Sequence, residues 1–158
     1  MHPYRFSYAD GDIVEGLAPF LRAEDLRESS DFLGRFGLAH SSADSCANHL
    51  FAAGDRYFVV VGRDAGLVAL TPVFSIGKAY RRAVTGKVGH SGWVDHPTNF
   101  DPSQVWVTSA HAVVRAAELA GDLSTPARRN LVLPEGIREM RSAIRGAFTP
   151  PPALRDAA

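Results

Sequence analysis

Val105-Trp106-Val107-Thr108-Ser109-Ala110-His111-Ala112-Val113-Val114 is the stretch whose reading decides the fold. Its first half is β-branched and aromatic, the composition of a buried strand. Its second half opens a helix, predicted from His111 to Ala120 and broken at Gly121-Asp122. A strand that runs straight into a helix must pack that helix on the sheet it leaves. The junction itself, Thr108-Ser109-Ala110-His111, contains neither glycine nor arginine.

Upstream, Tyr57-Phe58-Val59-Val60-Val61 reads as a strand buried on both faces, and Asp64-Ala65-Gly66 as a tight turn. Leu67 to Phe74 then returns antiparallel, so 57–74 is a central hairpin. Nearer the start, Tyr4 to Tyr8 alternates like a half-buried strand, and Asp10-Gly11-Asp12 turns the chain with Asp12 as a helix cap. The spacing of Ile13, Leu17, Phe20 and Leu21 predicts a helix limited by Pro19. A short charged helix follows over 22–28, and a third is predicted from Ala43 to Ala53 with Cys46 and Leu50 inward. Residues 76–103 read as a long irregular loop with many glycines and prolines.

Downstream, Asn130 to Leu133 reads as a short strand, and Pro134 opens a last helix over Glu135–Arg145. From Thr149 the prolines Pro150, Pro151 and Pro152 predict an extended C-terminal arm, residues 149–158. The expected organisation is one α+β domain over residues 1–148, a mixed sheet with helices on both faces.

Composition is ordinary for a globular chain. The 158 residues carry 17 basic and 17 acidic side chains, so no net field draws the molecule to nucleic acid or an anionic membrane. Cys46 is the single cysteine, which rules out an intrachain disulfide and suits a reducing compartment. No apolar run approaches the roughly 20 residues of a membrane span, and Met1 to Phe6 does not read as a signal peptide.

Four stretches carry a resemblance. They are Leu17-Ala18-Pro19-Phe20-Leu21 through Glu28; Gly66 to Val73; Val105 to Ser109; and Asn130-Leu131-Val132 through Ile144-Arg145-Gly146-Ala147-Phe148. Together they resemble the internal virion protein A family of short-tailed bacteriophages, itself similar to the GNAT acyltransferases. The chain departs from that family in its longer 74–104 segment, in Ala147 standing inside the usual Gly-Phe pair, and in a proline-rich tail where closing strands are usual. The resemblance implies a GNAT-like fold with a shortened C-terminal end. It also implies a virion protein made in the host bacterial cytoplasm, present as an oligomer or in several copies. Such a protein contacts other virion proteins and assists assembly or genome delivery. The GNAT relatives use acetyl-CoA, but a fold does not carry chemistry with it.

An acetyl-CoA site needs a basic, glycine-rich run opening the helix after Val105–Ser109, so that backbone amides reach the diphosphate. The nearest such run, Arg81 to Gly89, has the wrong spacing and precedes the strand. In the alternative reading, an acetyl-CoA-dependent N-acyltransferase, Tyr80 or His111 takes the amine proton. The favoured reading has no catalytic residue, no cofactor and no metal. His90, Asp95 and His96 lack paired ligand spacing, Cys46 and His49 read as a structural helix face, and Gly89-His90-Ser91-Gly92 misses the nucleophile-elbow spacing. Glu24, Asp25 and Glu28 read as solvated ion pairs with Arg22 and Arg27.

What remains is a partner-binding cluster. Lys78, Arg81, Arg82 and Lys87 with Tyr80 and Trp93 place four cations and two aromatics in one segment. That pattern suits an acidic protein surface ahead of nucleic acid, given the zero net charge, and Pro150, Pro151 and Pro152 offer further contacts. A remoter alternative is a small phage protein that neutralises a toxin or inhibits a host function.

Overall fold

A computed structural model describes residues 8–36, 52–122, 125, 128–147 and 153. They form an α+β fold. The strands are β1 (Phe20–Arg22), β2 (Gly34–Phe36), β3 (Asp55–Asp64), β4 (Leu67–Phe74), β5 (Arg82–Ala83), β6 (Lys87–Val88), β7 (Asn99–Phe100), β8 (Val105–Ser109) and β9 (Leu131–Val132). The helices are α1 (Ala23–Arg27), α2 (Ser91–Val94), α3 (Ala110–Ala120) and α4 (Pro134–Ala147).

The β3–β4 hairpin is the spine. Its two-residue connection puts Ala65 at φ 54°, a left-handed conformation in which the Arg63 guanidinium bonds to the Ala65 carbonyl at 2.9 Å. Alternation along the spine feeds two cores. Phe58, Val60, Val68, Leu70 and Trp106 face α1 and α3. Val59, Val61, Ala69, Val73, Val105 and Val107 face α4 and α2. Trp106 is fully buried between the ring edges of Phe32 and Phe58, with its indole N–H on Gln104 Oε1 at 2.9 Å.

The far edge of β4 is shared. Leu67–Leu70 pairs with β8, whereas Val73 and Phe74 pair with β7. Leu70 faces Trp106 and Val73 faces Phe100, so three steps along β4 span six on the facing chain. The three extra residues are absorbed in a turn in which Gln104 N–H bonds to Asp101 O at 2.9 Å and Ser103 bonds to the Asp101 carboxylate through both N–H and hydroxyl. β7 and β8 are thus one strand with a large bulge. β5 flanks β7 and β2 flanks β8.

Every described strand pair is antiparallel, where a mixed sheet was expected. The reason is where the chain goes after α3: β9 pairs not with a central strand but with β6. Gly16 to Ala18 joins that small sheet to the large one. Gly16 N–H bonds to Val60 O, Val60 N–H to Leu17 O, Val132 N–H to Gly16 O, and Ala18 N–H to Asn130 O. The sheet therefore curls round α4, with β5 and β6 meeting across Val84, Thr85 and Gly86.

The helix expected over 13–21 is absent. Gly16 sits at φ +93° and the chain runs extended through Pro19 into β1. Ile13, Leu17 and Leu21 are fully buried, as their spacing required, but from an extended segment. Asp12 closes a 3-10 turn (Asp10–Asp12), its carboxylate accepting the Ala9 N–H at 2.8 Å. The segment read as a long loop also differs: 76–103 contains β5, β6, α2 and β7 and buries Val84, Trp93, Phe100 and Asp101. Ala52 and Ala53 are not helical; the rest of the helix expected over 43–53, like the strand over 4–7, lies outside the described residues. So does most of the proline-rich tail, although Ala153 is helical and buried in the α4 core.

Candidate functional site

The basic segment splits into two environments. Lys87 is half-buried and Trp93 fully buried. The Lys87 ammonium donates to Trp93 O at 3.0 Å, to His96 O and to Thr98 Oγ1 at 2.7 Å, and lies 5.4 Å from the Trp93 ring centre. Burial holds its pKa below the ordinary lysine value, opposed by the Asp95 charge. Trp93 is 1% exposed and donates its indole N–H to Leu131 O at 3.0 Å. These two residues tie α2 to β6 and β9, and neither presents a binding surface.

Tyr80, Arg81 and Arg82 stand together on the outside. They line one wall of a groove of about 960 Å³, with Ala79 and Ala83. The bulge Asp101-Pro102-Ser103 forms its end, and Glu139, Ser142, Ala143, Gly146 and Ala147 of α4 form the opposite wall. Arg81 is held: its guanidinium lies 3.9 Å from the Phe74 ring centre and bonds to Ile76 O at 2.7 Å. Arg56 approaches the same ring at 4.8 Å and bonds to Val73 O and Ala53 O. Burial, and then the nearby Arg81 charge, lower the Arg56 pKa, though a guanidinium so placed stays cationic. Arg82 is exposed. Lys78 is exposed at the turn, its carbonyl accepting the Arg81 N–H, and does not line the groove. Pro150, Pro151 and Pro152 lie outside the described residues.

The groove's acidic groups are used internally. Asp101 is buried and turned onto Ser103, and Glu139 accepts the Thr85 hydroxyl at 2.5 Å. Sequence reading did not find Asp101, Ser103, Glu139 or Ser142, because they reach Arg81 and Arg82 only through the β5–β7 pairing and the packing of α4.

At the strand–helix junction two of the first three α3 amides are already bonded. Ala110 N–H bonds to Gly66 O at 2.9 Å, and Ala112 N–H bonds to Ser109 Oγ at 3.0 Å. Ser109 Oγ in turn donates to Asp31 Oδ2 at 2.6 Å, which sets a carboxylate beside the positive end of α3. His111 is exposed, its Nδ1 3.8 Å from Asp10 Oδ1. Tyr80, the other proton acceptor considered for acyl transfer, lines the groove instead.

Among the described residues no three His, Cys, Asp or Glu side chains converge as a metal site, and no helix is long and apolar enough to cross a membrane. Cys46 and His49 lie outside them. Compared with protein-family models, curated proteins and solved structures, the chain matches none.

Proposed function

We propose that this protein is a non-enzymatic binding scaffold, and specifically a phage virion assembly protein on a GNAT-like framework. The observation that carries the non-enzymatic half is the junction at Ser109. A coenzyme diphosphate at that helix needs free backbone amides. Here the Ala110 and Ala112 amides are satisfied by Gly66 and Ser109, and Asp31 adds a negative charge. Binding a diphosphate there would cost those bonds and set two anions against each other. The virion half rests on the four resembling stretches at Leu17–Glu28, Gly66–Val73, Val105–Ser109 and Asn130–Phe148. In this reading the protein is made in the host cytoplasm, is packaged in several copies, and meets other virion proteins through the Tyr80–Arg82 groove.

Two measurements test it. Titration calorimetry with acetyl-CoA should give no saturable heat; micromolar binding would restore the acyltransferase reading. Peptide mass spectrometry of purified particles of the encoding phage should find the chain in multiple copies. Its recovery from host cytosol alone would sink the virion assignment.

A further inference from the structure

We propose that the groove between β5 and α4 takes an extended acidic segment of a partner protein, added as a strand along the outer edge of β5. This rests on the scaffold reading above and names the chemistry of its partner. Three observations lead to it.

The first is backbone direction. Arg82 faces Phe100 and Ala83 faces Asn99, and Val84 N–H continues the register by bonding to Thr98 O at 2.9 Å. In an antiparallel pair, alternate residues turn their N–H and C=O toward the partner strand. Val84 and Arg82 are the residues turned to β7, so the backbone groups of Ala83 point outward, on the groove side. β5 ends the strand order of the large sheet, and both its residues are exposed.

The second is charge. Arg82 is exposed and has no carboxylate within ion-pair distance among the described residues. An incoming acidic side chain supplies what the groove lacks.

The third is spacing. In a strand, residues two apart share a face. A segment with acidic residues at alternate positions can set one of them beside Arg82, the arginine of β5 itself. The chain's zero net charge offers no wider positive field to a nucleic acid, which carries a charge at every step.

Fluorescence anisotropy on the full chain tests this, using a fluorescein-labelled (Glu-Val)4 peptide at low salt with (Lys-Val)4 as control. Saturable binding of the acidic peptide is expected with Kd below about 1 mM, and Arg82→Glu should weaken it about tenfold. N-methylating one of the two alternate sets of peptide amides should abolish binding, and methylating the other should not, because only one set can pair with β5. That arm leaves the protein unaltered, so it decides even if R82E is misfolded by circular dichroism. No saturation, equal binding of (Lys-Val)4, indifference to R82E in a folded variant, or tolerance of both methylated peptides would each overturn the proposal. If acetyl-CoA also fails to bind, the scaffold reading survives such an outcome; if it binds, both fall.

Discussion

At the residue scale, two contacts mark where close approach does structural work. Gly136, in the first turn of α4, packs so tightly that a Cβ there would strike Thr85 O and the Val132 side chain. Thr85 O is backbone and cannot rotate away. Gly136→Ala should therefore destabilise the fold by about 3 kcal/mol despite alanine's better helix propensity; urea denaturation measures it, and a neutral or stabilised variant would contradict the packing. Glu24 is the second. Its carboxylate accepts the Gly54 N–H at 2.8 Å while Gly54 O accepts the Ala23 N–H, so α1 is latched to the start of β3. The Gly54 bond, and then Glu24's own amide, hold its pKa below the usual 4.5. A carboxylate with a depressed folded pKa stabilises above the unfolded value, and loses that contribution as pH falls through the folded one. The group is well solvated, so Glu24→Gln should cost only about 0.5 kcal/mol at pH 7. The gap to the wild type should close as melting is repeated from pH 5 downward; a constant gap would mean that charge plays no part.

At the element scale, the capped start of α3 gives a sharper test. Ser109 Oγ both accepts from Ala112 and donates to Asp31, so Ser109→Ala removes an N-cap and strands a carboxylate partner. The expected loss is about 1 kcal/mol, read as a lower thermal midpoint. Asp31→Asn keeps a group that can accept the hydroxyl and should lose less; the reverse order would mean that the carboxylate charge matters more than the cap. Elements of this kind, and what stabilises them, differ in how plainly they can be read from sequence. The hairpin, β8 with α3, α1 and α4 were all legible, because each states its periodicity within a dozen residues and has its own stop signal, such as Gly121 at φ +76°. The segment over 13–21 was not. Ile13, Leu17 and Leu21 satisfy a helical spacing and are buried as it demands, yet the Gly16 and Ala18 amides and the Gly16 and Leu17 carbonyls bond to Val60, Asn130 and Val132, more than forty residues away. Side-chain spacing records which residues are buried; it does not record which chain will supply hydrogen-bond partners. The groove failed to appear for the same reason. Tyr80, Arg81 and Arg82 were visible as a cluster, but Glu139 and Ser142 join them only once the sheet has curled.

At the scale of the whole molecule, the curl changes what residues 76–103 are. Read from sequence, they are a long irregular loop rich in glycine and proline. In the fold they close the second core: Val84 and Phe100 pack against Met140 and Ile144, and Trp93 lies among them with its N–H on Leu131. Lys87 gathers two carbonyls and a hydroxyl at the centre of the segment. Cutting such contacts costs free energy whether or not a partner is present, so the segment should be ordered in the isolated protein. Hydrogen exchange on the free chain should find the Val84, Trp93 and Val94 amides protected, each being bonded to a carbonyl of the same segment. Trp93→Ala should then cost about 3–5 kcal/mol and expose those amides together with that of Val132. Fast exchange at Val84 and Trp93 in the wild type would show that the segment's packing is too weak to close the sheet. The β5 edge would then have no fixed groove to offer an incoming strand.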